Sequence, residues 1–181
     1  MNTSTLCSAI LAAAFSTGAV AADCKQALKQ IGPAAMQMPV DQFDQDEVKG
    51  WRALQNQGCF VEAAQLIEYF ALEYDSNYRR LKWHLAQMQA FAGNTTEALA
   101  AARLSVSPVQ AQMHPDFDWN DYVLATMAFL QRDRAAFDAH RAFLKRNASK
   151  SPLNAANVDV IDRLAVCFEK PYAVAYACNA P

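Results

Sequence analysis

A short turn recurs along this chain at a spacing that few architectures can accommodate. Gly58-Cys59-Phe60-Val61-Glu62-Ala63-Ala64 follows an apolar stripe bearing Trp51 and Leu54, and the same layout returns at Gly93-Asn94-Thr95-Thr96-Glu97-Ala98-Leu99. It returns more weakly at Arg132-Asp133-Arg134-Ala135-Ala136-Phe137 and at Lys170-Pro171-Tyr172-Ala173-Val174-Ala175. The steps are about 35, 39 and 38 residues, the period of stacked helix pairs. A small residue at the end of a first helix lets the chain turn tightly, an apolar residue two places on plugs the turn, and an alanine five places on lets two helices approach closely. Pro108 and Pro152 fall between the pairs, where a helix must stop.

The rest of the pattern agrees. Val, Ile and Thr never alternate with polar residues as a half-buried strand requires, so the expected fold is all-α. It consists of about four antiparallel helix pairs stacked as a short solenoid, preceded by an N-terminal helix near 23–31 and a turn-rich linker over 32–43. Asn94 with Glu97 three residues later has the spacing of a capping box.

The segments Gly58 to Ala63 and Gly93 to Ala98 resemble tetratricopeptide repeats, and the resemblance covers roughly Asp44 to Cys178. Arg132 and Lys170 stand where glycine is usual in that family. Gly58 to Ala64, Trp119 to Tyr122 and Cys167 to Tyr172 also resemble stretches of exported bacterial proteins to which no activity is attached. The resemblance implies a helical stack whose first helices line a concave groove.

Export has its own signal. Met1 to Ala22 carries no charged side chain and contains the apolar run Leu6 to Phe15, too short for a stable membrane anchor. Ala19, Ala21 and Ala22 offer cleavage just before Asp23 or after Ala21. The expected organisation is a signal peptide over 1–22 and one helical domain over 23–181, periplasmic or secreted, with no membrane insertion of the mature chain. Cys7 leaves with the leader, so Cys24, Cys59, Cys167 and Cys178 remain, an even number for an oxidising compartment. Four cysteines allow three pairings. Cys24 with Cys59 and Cys167 with Cys178 are preferred because each joins neighbouring parts of the chain.

Composition narrows the function. A net charge of −2 argues against nucleic acid, which needs a clustered basic face. His84, His114 and His140 are scattered, and no Cys-x-x-Cys or His-Glu-x-x-His spacing occurs, so no metal or other cofactor is expected. The run His114 to Asp121 begins like a calcium loop, but Asp121 and Met127 occupy the positions that need Gly and a bidentate Glu. Capping of the following helix by Asp116 or Asp118 is the preferred reading. Five glycines, none bracketing a serine, offer no nucleophile elbow.

The expectation is therefore a binding protein without catalytic residues, holding a protein or peptide in the concave groove. Trp83, His84, Gln87, Trp119 and Tyr122, on the first helices of successive pairs, are the candidate contacts, because aromatics with polar tips anchor bound peptides. Trp51 is expected in the core. Two other readings stand beside this one: an envelope hydrolase acting on peptidoglycan, and an inhibitor or immunity protein.

Overall fold

The computed structural model describes residues 17–74 and 78–179, with side chains from residue 23 onward. The expected leader lies outside the described residues, except that 17–22 begin the first helix. All regular structure among the described residues is helical: α1 (Thr17–Ala35), α2 (Val40–Gln45), α3 (Gly50–Gln55), α4 (Phe60–Glu73), α5 (Arg79–Phe91), α6 (Thr95–Ser105), α7 (Gln110–Met113), α8 (Trp119–Leu130), α9 (Arg134–Arg146), α10 (Pro152–Val166) and α11 (Tyr172–Tyr176), with a 3₁₀ turn at Ala148–Lys150. No described helix is long and apolar enough to cross a membrane.

The recurring turn has one geometry at three of its four positions. Gly58, Gly93 and Arg132 take φ of 75°, 83° and 59°, the left-handed region. In each case the next residue's N–H reaches back five residues to a carbonyl: Cys59 to Leu54, Asn94 to Gln89, and Asp133 to Ala128. The turn residue's own N–H reaches back three, from Gly58 to Gln55, Gly93 to Ala90 and Arg132 to Phe129. This double hydrogen bond is a Schellman cap, and its left-handed residue explains the two glycines. Arg132 takes the same conformation at a cost of about 1–2 kcal/mol for a residue with a Cβ. Its guanidinium is engaged by the carbonyls of Phe168 and Lys170, which ties this turn to the next one. Lys170 has no positive φ; Pro171 there starts α11 directly.

Five places beyond each of these three turns, Ala63, Ala98 and Phe137 have no exposed surface. The expected plug two places on is present at two of the four turns, where Phe60 stacks on Phe91 at 5.0 Å and Tyr172 is buried edge-on to the same ring. Thr95 and Arg134 are exposed, so the turn is closed by its hydrogen bonds and not by a general apolar cap.

Helices pack in the pairs α3 with α4, α5 with α6, α8 with α9 and α10 with α11, and α4 packs on α5, α6 on α8, and α10 on both α8 and α9. One contact closes back across the chain: α11 lies against α5, with Tyr172 and Tyr176 each edge-on to Phe91 at 5.0 Å. The core runs through all pairs, from Trp51, Leu66 and Phe70 to Phe129, Leu144 and Ile161.

Two disulfides form, Cys24 to Cys59 and Cys167 to Cys178, the pairing expected from chain proximity. The first fastens α1 to the Gly58 turn, and the second fastens the end of α10 to the end of α11.

The N-terminal third departs from the sequence reading. α1 runs through Gly32 and Pro33 to Ala35, and the expected linker contains α2. Pro33 sits within three residues of the helix end, where few downstream turns depend on it. Phe43 and Asp44, adjacent on α2, both have zero exposure. Phe43 stacks on Phe70 of α4 at 3.8 Å, so the short helix is a wedge in the core.

Candidate functional site

The five residues expected to contact a partner fall into two different environments. Trp83, His84 and Tyr122 are buried, with 3, 9 and 4 % of their surface exposed. They are core residues, and the expectation that His84 is a groove or surface residue is corrected by what holds it. His84 Nδ1 donates to Asp44 Oδ1 at 2.6 Å, and its ring lies 4.9 Å from Trp51. Trp83 meets Trp119 edge-on at 5.8 Å and Tyr122 at 5.0 Å. α5 is buried on two faces: His84 lies on the stripe of Leu81, Leu85 and Met88, and Trp83 on the opposite one with Ala86 and Ala90.

Gln87 is half-buried and points at the Tyr122 hydroxyl, 3.5 Å away. Burial pushes the Tyr122 and Tyr172 phenols well above their ordinary value, with neighbouring tyrosines adding to the effect, so both stay neutral. Gln87 thus sits in a polar seam between α5, α8 and α11.

Asp44 is the structural centre of the N-terminal half. Its carboxylate has no exposed surface, yet it accepts from His84 Nδ1 at 2.6 Å, from Arg80 Nε at 2.7 Å and from Gln45 Nε2 at 2.5 Å. Burial alone raises its pKa, but the hydrogen bond and charge of His84, then the bonds from Arg80 and Gln45, outweigh this and hold it below the ordinary carboxylate value. Arg52 Nε donates to the Asp44 carbonyl at 3.3 Å, so α2, α3 and α5 meet at one residue.

Trp119 packs against both Trp83 and Tyr122 and lines a surface cleft. The cleft has a volume of about 540 Å³, within the range of small-ligand sites. Arg79 and Arg80 from the start of α5 line it with Ser107, Gln110, Met113, His114 and Phe117 from the α6–α8 connection. Trp119 and Leu153, at the starts of α8 and α10, complete it. Met113 is 65 % and Leu153 59 % exposed.

The walls of this cleft are loops, and amide side chains fix them. Asn120 exchanges two hydrogen bonds with the Ser107 backbone, at 2.8 and 2.7 Å. Gln110 Nε2 donates to the Phe117 carbonyl at 2.6 Å. Asn154, with no exposed surface, donates to the Asp116 and Asn147 carbonyls at 2.9 and 3.0 Å and accepts from the Asp118 N–H at 2.9 Å. The Trp119 indole N–H is spent on the Ser105 carbonyl at 2.8 Å, and the residue lines the cleft. Such satisfied side-chain bonds preorganise a site that loops alone would leave loose.

These bonds also correct two capping expectations. Asp118 is the N-cap residue of α8, but its side chain makes no cap hydrogen bond. Asn94 likewise makes none, because its side-chain amide donates to Gln89 Oε1 at 2.8 Å. Asp121, which stands at the glycine position of the calcium-like run, instead accepts from His140 Nδ1 at 2.8 Å and joins α8 to α9.

Among the described residues the one group with metal-like proximity is Cys24, Cys59 and Glu62, whose ligand atoms lie within 4.8 Å of one another. The two sulfurs are bonded to each other, so this is a disulfide beside a buried carboxylate.

Comparison with protein-family models, with curated proteins and with solved structures gives no match. The cleft must therefore be read from its own chemistry. The sequence does not announce this cleft, because two of the amides that fix its walls, Asn120 and Asn154, lie on α8 and α10 and not in the connection itself.

Proposed function

We propose that the chain is an exported binding or scaffold protein on a tetratricopeptide-like stack, working in the periplasm or outside the cell, which holds a peptide segment of a protein partner. The segment lies in the cleft formed where α5, α8 and α10 begin. The observation that carries this is the cleft itself: pinned walls, a largely apolar lining, and two large side chains, Met113 and Leu153, left open to solvent at its surface. Exposed apolar side chains around a preformed hollow are the usual mark of a contact site. Two disulfides support the extracytoplasmic placement. The hydrolase and inhibitor readings draw on no observation that favours them over this one.

A photo-reactive phenylalanine analogue at Met113 or Leu153 tests it in cells. Both positions are expected to give a cross-linked adduct to the same partner, whereas Leu72 on α4, 80 % exposed, gives none. Adducts from Leu72 as strong as those from the cleft would place the contact elsewhere.

A further inference from the structure

The cleft has a sign as well as a shape. Its lining contains two arginines and a histidine, Arg79, Arg80 and His114, and no acidic residue, in a chain whose net charge is −2. The two arginines differ in how they are held. Arg80 is fastened from behind by the buried Asp44 carboxylate, with Asp41 3.6 Å from its Nη2. Arg79 has only a backbone acceptor, the Val106 carbonyl at 3.2 Å, and no carboxylate partner among the described residues. Among the described residues it is therefore positioned but not neutralised.

Beside this cation lie Met113, Phe117, Trp119 and Leu153, so the cleft places a guanidinium next to an apolar surface. A ligand matching both must carry a carboxylate adjacent to a large apolar group. Guanidinium–carboxylate pairing against a low-dielectric wall is stronger and more directional than the same pair in open water. α5, α8 and α10 all begin at this cleft, and the positive ends of their dipoles act in the same direction.

Building on the cleft reading above, we infer that the segment held there is an acidic peptide, in which one or two large apolar side chains are flanked by Asp or Glu. The apolar side chains lie on Trp119, Met113 and Leu153, and a flanking side-chain carboxylate pairs with Arg79. Because Arg79 is exposed, the pairing is sensitive to salt.

Calorimetric titration of the full mature chain with defined peptides tests this. The probes are acetyl-Glu-Leu-Phe-Glu-amide, its Gln counterpart, its Lys counterpart, and the Gln peptide with a free carboxyl terminus. The Glu peptide is expected to bind at least about tenfold more tightly than the amidated Gln peptide at low salt. That gap should narrow between about 0.05 and about 0.5 M salt. Arg79→Gln should close it while leaving the thermal transition in place. Equal binding of the Glu and Gln peptides, tighter binding of the Lys peptide, or binding only of the peptide with a free carboxyl terminus would each overturn the inference. If every peptide fails while Met113 still cross-links to a partner, the acidic assignment falls and the cleft stands. If cross-linking fails too, both fall.

Discussion

Replacing Asp44 with alanine is expected to lower the unfolding free energy by about 3 kcal/mol, the usual cost of removing one partner from a buried ionic group. The carboxylate has no exposed surface and is the common acceptor for His84, Arg80 and Gln45. Without it, the His84 Nδ1–H loses its acceptor, and α2 is left with the exposed Asp41 contacts to Tyr78 and Arg80 at the start of α5. The cost stays near the lower end of the range because Arg80 is partly open to solvent and can rehydrate. Asp41→Ala is the control. Its carboxylate is 81 % exposed, and its loss should cost less than about 0.5 kcal/mol. Urea unfolding of the three proteins reads the difference, and an Asp44→Ala transition within about 1 kcal/mol of the parent would show that the tie is not structural.

The same group sets a pH dependence. Its folded-state pKa lies below the unfolded value, so the stability it contributes is fully present above about pH 4. That stability is lost as the pH falls through the lower folded value, because the unfolded chain then binds the proton first. Asp162 on α10 acts in the same direction. Burial raises its pKa, and hydrogen bonds from Lys145 and Arg141 of α9 outweigh this. The stability gap between the parent and Asp44→Asn should therefore shrink below about pH 4.

The second large effect concerns the disulfides. Replacing Cys24 and Cys59 together with serine is expected to cost about 4 kcal/mol, and the same change at Cys167 and Cys178 about 3 kcal/mol, on the loop-entropy relation. The first bridge spans 35 residues and the second 11, so the first restricts the unfolded chain more. Burial acts in the same direction. Cys24 and Cys59 are both in the core, so the serine hydroxyls there must find partners, whereas Cys167 and Cys178 are half-exposed. Unfolding of the two double variants without reductant gives the order directly. A larger loss at Cys167 and Cys178 would contradict it.

The sequence was most legible where local geometry alone determines the structure. The spacing of Gly58, Gly93 and Arg132 marks three turns with one hydrogen-bond pattern, because a Schellman cap needs only a left-handed residue and five neighbours. Arg132 looked like a departure and is none, since it adopts the glycine conformation. The cysteine pairing was legible for a similar reason of proximity.

Other features rest on contacts distant in sequence. Asp44 and His84 are separated by 40 residues, and nothing local marks the acid that follows Phe43 as a core residue. His84 consequently reads as a groove or surface residue from the sequence, although its helix face carries it inward. The candidate contacts lie on two helices, α5 and α8, and differ in depth: Trp83 and Tyr122 are buried in the core, and Trp119, one turn before Tyr122 at the very start of α8, reaches the cleft. The cleft walls depend on Asn154, which bonds to a carbonyl 38 residues away. No periodicity reports such a bond.

On the proposed function, the cleft at Trp119, Met113 and Leu153, and not the interior seam at Gln87 and Tyr122, meets the partner. The dissociation constant of the cross-linked partner for the parent, Leu153→Asp and Gln87→Ala proteins tests this most directly. Leu153→Asp is expected to weaken binding at least about tenfold, as loss of an apolar anchor does. Its thermal transition should be unchanged, and Gln87→Ala should bind as the parent does. A tenfold loss for Gln87→Ala, with Leu153→Asp binding normally, would contradict the account.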